Sequence, residues 1–291
     1  MTPQLSAGPT GRSAPSPVLL VVIGIVSVQF GAGIAKSLFD TVDPTTITWL
    51  RLATSSAALL IWTRPRLGGR SRRDWLVVLG FGLALGTMNW AIYQSFARIP
   101  LGIAVTLEFT GPLALAVAGS RRPRDLAWVV LAGLGVLLLG LEPGDLTWSG
   151  VGFALLAGAA WAAYILLSRS TGARWPGMDG LAVASTVAAI GLTPLALGGY
   201  AADLQHTRVV LLGALVGLLS SVIPYSCELV ALRSLRPAIF GILMSLEPAA
   251  AALAGLVVLQ ETLSAVQWLA LVCVIAASVG ATRDWGAEPS A

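Results

Sequence analysis

Apolar runs about twenty residues long follow one another from Pro17 to Ala281 with only short polar breaks, and this succession limits the fold more than any other feature. A helix needs about 20 apolar residues to cross the hydrocarbon core of a bilayer. The runs lie at 17–38, 44–62, 75–97, 101–119, 125–141, 148–168, 179–199, 209–232, 237–258 and 263–281. Their apolar residues are continuous rather than alternating, which argues against a membrane barrel, whose strands would be about ten residues of period two. The expected fold class is therefore all-α, an integral membrane protein of ten transmembrane helices in contact with the lipid bilayer. Composition agrees, because 11% charged residues is far below the roughly 25% of soluble domains. The two cysteines, Cys227 and Cys273, lie inside apolar runs and exclude a disulfide scaffold.

Residues 1–16 are rich in Pro, Ser and Gly and are expected as a disordered cytoplasmic tail, with 282–291 as a second cytoplasmic tail. No small-residue cleavage site ends the first run, so it is expected to be a retained helix. Arginines set the orientation. Arg12, the cluster from Arg64 to Arg73, Arg121, Arg122, Arg124, Arg169, Arg174, Arg233, Arg236 and Arg283 share one side if the N-terminus is cytoplasmic. Asp40, Asp43, Glu142, Asp145, Asp203 and Glu261 fall on the other. Both termini are thus expected in the cytoplasm, and the protein in the cytoplasmic (inner) membrane. The net charge of +4 does not imply a nucleic-acid partner, because the arginines sit in short runs between spans.

The two halves look duplicated. An offset of 136 residues superposes Pro112 on Pro248, Gly119 on Gly255, Leu107 on Leu243 and Ile103 on Ile239. Two repeats are expected, 17–141 and 148–281. Five helices is an odd number, so the repeats would enter the membrane inverted, an arrangement common in secondary transporters.

Ionisable groups within a bilayer cost about 2.5 to 3.5 kcal/mol each, and five stand out here: Glu108, Glu228, Glu247, Lys36 and Arg51. Each acid neighbours a proline, Pro112, Pro224 or Pro248. Proline removes a backbone donor and frees the carbonyl four residues earlier, here those of Glu108, Ser220 and Met244. Freed carbonyls are tolerated at depth only inside protein or beside a wet cavity, so spans four, eight and nine are expected to line a pathway, with Gly111, Pro112, Pro224 and Pro248 as helix-break or hinge positions. Glu108 and Glu247, nearest the midplane, are expected to bind substrate or exchange protons. Glu228 has a similar candidate role, or is an interfacial carboxylate paired with Arg233. Lys36 and Arg51 are candidate substrate ligands, although Lys36 has the alternative of snorkelling to headgroups and Arg51 that of pairing with Asp40 or Asp43.

Polar and aromatic residues that could bind a small polar solute are Gln29, Asn89, Trp90, Tyr93, Trp161, Tyr164 and Tyr225, with interfacial or packing roles as the alternative. No cofactor, metal site or catalytic residue is expected. His206 is the only histidine, and the segment Gly31 to Ser37 lacks the spacing of a phosphate loop. Gly82 with Gly86, and Gly213 with Gly217, have small-xxx-small spacing for helix packing.

The segments Ser37 to Leu52, Leu101 to Val117 (LGIAVTLEFTGPLALAV), Ile223 to Leu232 and Gly241 to Gly255, with Glu261 to Leu263, resemble the drug/metabolite transporter superfamily. The likeness is to its EamA-type exporters of threonine and homoserine. It implies two five-helix repeats with spans one to four and six to nine around a central cavity, and spans five and ten outside it as a homodimer contact. It also implies export of small neutral amino acids coupled to protons, with alternating access. The matching positions are Glu108, Thr110, Gly111 and Pro112, then Glu247 and Pro248, and Arg51. The inner loop Gly68 to Asp74 and the outer turn Phe39 to Pro44 depart from the pattern. An exporter of drugs or other metabolites with the same fold is the near alternative, and a passive channel the alternative of another class.

Overall fold

Helices start where the sequence supplies an acceptor for their free amides. The structure is a computed structural model and describes residues 16–118, 125–140, 146–200, 202–232, 235 and 237–285. In α1 (Pro17–Lys36) and α2 (Pro44–Thr63) a proline takes the first position, where its missing N–H costs nothing. Asp43 accepts from Thr45 N at 2.7 Å to cap α2. Ser71 and Asp74 form a reciprocal capping box on α3 (Arg72–Phe96). Thr147 caps α7 (Trp148–Gly172).

Each of the ten apolar runs is helical, and among the described residues there is no strand. Seven are unbroken: α1, α2, α3, α6 (Asp125–Gly140), α7, α8 (Asp179–Tyr200) and α13 (Ala265–Trp285). The last continues into the segment expected as a tail, since helical hydrogen bonds do not require apolar residues. The other three are interrupted, giving α4 (Leu101–Glu108) and α5 (Thr110–Ala118), α9 (Thr207–Gly217) and α10 (Ile223–Leu232), and α11 (Pro237–Met244) and α12 (Glu247–Leu259). Among the described residues six helical stretches are long and apolar enough to cross a membrane: Pro17–Lys36, Arg72–Phe96, Trp148–Gly172, Asp179–Gly198, Thr207–Glu228 and Ile239–Leu259. Large apolar side chains such as Leu83, Leu126, Leu137 and Val257 cover the exterior, a surface suited to lipid rather than water. Residues 1–15 of the expected first tail and 286–291 of the second, the loop arginines Arg121, Arg122 and Arg124, the loop acids Glu142 and Asp145, and Arg233 and Arg236 lie outside the described residues.

Close helix contacts fall on small residues. Gly82 and Gly86 of α3 meet Ala184, Val187 and Ala188 of α8, and Gly213 and Gly217 of α9 meet Leu50 and Thr54 of α2. A methyl on Gly82 would stand 2.7 Å from the Ala184 carbonyl. The loops gather at two ends. At one, Arg66 N donates to Asp179, Arg70 to the Arg174 carbonyl, and Arg174 pairs with Asp74 at 3.3 Å. At the other, Asp203 accepts from Asp43 N and Thr46 Oγ1, and Glu261 from Leu101 N.

Candidate functional site

All three helix interruptions lie beside one cavity of about 920 Å³, the third through its flanking Met244 and Glu247, and that volume is within the usual size range of small-molecule sites. The first lies at Phe109, where Pro112 leaves the Glu108 carbonyl without its helical donor. Gly158 of α7 covers that carbonyl, and a Cβ there would stand 2.6 Å from the oxygen. Gly111 likewise abuts the Gly158 backbone. The second is a π turn over Leu218–Val222, ahead of Pro224, a distortion that often accompanies function. The third is at Ser245 and Leu246, just before Glu247 and Pro248.

The π turn is fastened from two sides. Ser27 Oγ donates to the Leu219 carbonyl at 2.6 Å. Arg51 Nη2 donates to the Ser220 carbonyl, the group freed by Pro224, at 3.0 Å. Arg51 Nη1 donates to Tyr93 Oη at 3.2 Å, and its Nε reaches Ser221 Oγ at 3.4 Å. The guanidinium is buried but borders the cavity, and it has further N–H donors to offer a ligand. Asp40 and Asp43, the partners weighed from sequence, do not hold it. Asp43 caps its own helix instead, because Arg51 lies too far along α2 to reach back to the loop.

Glu108, Glu228 and Glu247 border the same cavity. Glu108 and Glu247 are each 9% exposed, and none of the three carboxyls has an ion-pair partner among the described residues. The cavity wall therefore carries three acids and one guanidinium. Gln29, Asn89, Pro112, Trp161, Tyr164, Pro224 and Tyr225 complete the expected residues along its wall. Gln29 Oε1 is buried without a hydrogen-bond partner, and Trp161 packs edge-on against Phe109 at the first interruption. Among the described residues no group of acids, histidines or cysteines is arranged to hold a metal ion.

Four expected ligands or hinges stand back from the wall. Tyr93 stands behind Arg51 and Phe96, Trp90 packs against Phe153, and Gly111 and Pro248 serve the backbone. Lys36 is also outside the cavity, in a 2.6 Å ion pair with Glu261. Sequence reasoning overlooked Ser221, Phe109 and Gly158. Ser221, at the π turn three residues before Pro224, carried the one usable signal.

The Gly158 contact predicts its own test. Gly158→Val places carbon against the Glu108 backbone, and overpacking of this kind costs about 1–3 kcal/mol. The expected result is a lower unfolding temperature in detergent. An unchanged midpoint would show that α7 is free to move away.

Residues 148–283 match the EamA-like transporter family. The threonine/homoserine exporter RhtA of Salmonella typhimurium LT2 is 44% identical over 276 residues, 94% of this chain and 93% of its own length. The chain belongs to the RhtA family of EamA-like transporters. The threonine/homoserine exporter RhtA of Escherichia coli K12 is 43% identical over 269 residues, 91% of each chain. A solved crystal structure, 18% identical, superposes with a TM-score of 0.61 over 89% of this chain and 95% of that one, a likeness of fold. This family consists of transporters rather than enzymes, and with its apolar helices this member is a multi-pass membrane protein.

Proposed function

We propose that this EamA-like transporter is a proton-coupled secondary exporter of small neutral amino acids, threonine and homoserine among them, working by alternating access. The observation that carries the proposal is one cavity lined by both Arg51 and the three acids Glu108, Glu228 and Glu247, in a chain whose relatives are named for that export. A zwitterion suits this polarity. Its carboxylate would take the spare N–H groups of Arg51, and its ammonium would approach Glu108 or Glu247, with Gln29, Asn89, Trp161, Tyr164 and Tyr225 around the side chain. A proton arriving from the far side would compete with the ammonium for the same carboxylate, and that competition produces antiport.

The architecture that fits is ten transmembrane helices in two inverted repeats, 17–141 and 148–281. The helix interruptions at Phe109 and Ser245 are related by the same offset as Pro112 and Pro248, which supports it. Rocking of one repeat against the other would expose the cavity to each side in turn. Purified protein in proteoliposomes is expected to release threonine or homoserine saturably when a pH gradient is imposed. Gradient-independent conductance would favour a channel. Flux of a lipophilic cation without amino-acid flux would favour drug export, for which the acids alone suffice.

Orientation has a separate test. Arg70→Cys is expected to react with an impermeant maleimide only in inverted vesicles, and Gln205→Cys only in intact cells, because the arginine-rich loops belong in the cytoplasm. The reverse pattern would invert the map.

A further inference from the structure

The cavity extends along the helices almost to the end opposite the arginine-rich loops, where Ala32 of α1, Phe96 of α3 and Val105 of α4 border it. About one turn beyond these residues, towards that end, come Lys36, Ile99 and Leu101; Glu261 holds Lys36 and Leu101 directly and Ile99 through Lys36. Lys36 Nζ pairs with Glu261 Oε1 at 2.6 Å and donates to the Ile99 carbonyl at 2.6 Å. Glu261 Oε2 accepts from Leu101 N, the first residue of α4, at 2.8 Å. Both ends of the contact suit helix dipoles, with an ammonium at the C-terminus of α1 and a carboxylate at the N-terminus of α4.

Glu261 comes from the second half of the chain, and Lys36, Ile99 and Leu101 all come from the first. The apolar packing beneath them also crosses the halves, with Gly102 against Ala252 and Gly33 against Val258. Below the interruptions the pattern changes. The continuations α5 and α11 both border the cavity, through Pro112, Leu113 and Leu115 and through Phe240, Gly241 and Met244. Among the described residues α5 and α11 make no extended contact.

We propose that the Lys36–Glu261 pair, with the Leu101 amide, is the latch that closes the cavity at the end away from the arginine-rich loops. This deepens the alternating-access reading and rests on it. For the cavity to open at that end, the Glu261 carboxylate must leave both Lys36 and the start of α4, so α1, α4 and the α12–α13 link separate together. Lys36 then acts as a gate residue rather than a substrate ligand. The pair is only partly shielded, with side chains 17% and 18% exposed, so water can solvate both charges once they part.

Accessibility tests this without needing the substrate. Ala32→Cys, in a Cys227→Ser, Cys273→Ser background, places a thiol on the cavity wall, and the probe is a membrane-impermeant maleimide applied to either face of sealed vesicles. With the latch intact, labelling is expected from the arginine-rich face and to be slow from the other. Adding Glu261→Gln or Lys36→Met is expected to speed labelling from the slow face about tenfold, the change that roughly 1.4 kcal/mol in the opening equilibrium produces. Labelling from the arginine-rich face reports that each variant is folded, and the two variants guard against failure of either. Unchanged labelling from the slow face in a folded variant overturns the latch, even if that variant is less heat-stable. Absence of amino-acid flux in the unmodified protein would instead overturn the export reading, and this labelling result would stand apart from it.

Discussion

Amino-acid efflux driven by a pH gradient is expected to fall by about two orders of magnitude in Glu247→Gln or in Glu108→Gln, the scale on which a positioned proton-transfer group acts. The reason is geometric. Both carboxyls are buried on the cavity wall, and neither has an ion-pair partner among the described residues to account for its presence as structure. Glutamine preserves the shape and much of the hydrogen bonding but has no proton to release. Proteoliposomes loaded with radiolabelled threonine give the rate. Exchange of internal for external threonine without a gradient is the companion measurement, because it needs no net proton movement. A variant that still exchanges but no longer responds to the gradient identifies the coupling carboxyl, and one that loses both identifies a substrate ligand. Undiminished pH-driven efflux in both single variants would remove the carboxyls from the mechanism.

The second large effect concerns Arg51. Hydrogen bonds to a charged group contribute about 1.5–3 kcal/mol, so Arg51→Gln is expected to weaken threonine binding by roughly ten- to a hundredfold. It also deprives the Ser220 carbonyl of its donor, and an unsatisfied buried acceptor costs about 1–3 kcal/mol. A lower unfolding temperature should therefore accompany the weaker binding. Arg51→Lys separates the two roles. A lysine keeps the charge but lacks the planar fork that reaches Tyr93 and Ser220 together. It is expected to recover part of the binding and less of the stability. Equilibrium binding of radiolabelled threonine to purified protein, beside thermal unfolding, measures both. Loss of stability with full binding in Arg51→Gln would make Arg51 a brace for the π turn and nothing more.

Much of the site was legible because its signals are local. Proline four residues after Glu108 and four after Ser220 named two freed carbonyls, and the structure breaks or distorts the helices at both places. Glycine pairs four residues apart marked the faces that meet α8 and α2. Ser221 was harder to see: the neighbouring Ser220 and Pro224 three residues on mark an irregular turn, but nothing local says that Arg51 of α2 will face it. Gly158 was hidden for the same reason. Its importance comes from a carbonyl fifty residues earlier in the chain that approaches it across a helix interface.

The sequence by itself determined that the chain is helical throughout its apolar runs, where those helices start, and where proline interrupts them. These follow from hydropathy and from the missing donor of proline, both properties of residues close together in the chain. Only the tertiary structure decided which charged groups meet. Arg51 turns to the Ser220 carbonyl and Tyr93 instead of a loop aspartate, and Lys36 turns to Glu261 instead of the cavity. Such choices depend on the rotation and depth of each helix relative to its neighbours. That register is set by small residues packing across the interface, and neither partner's own sequence contains it.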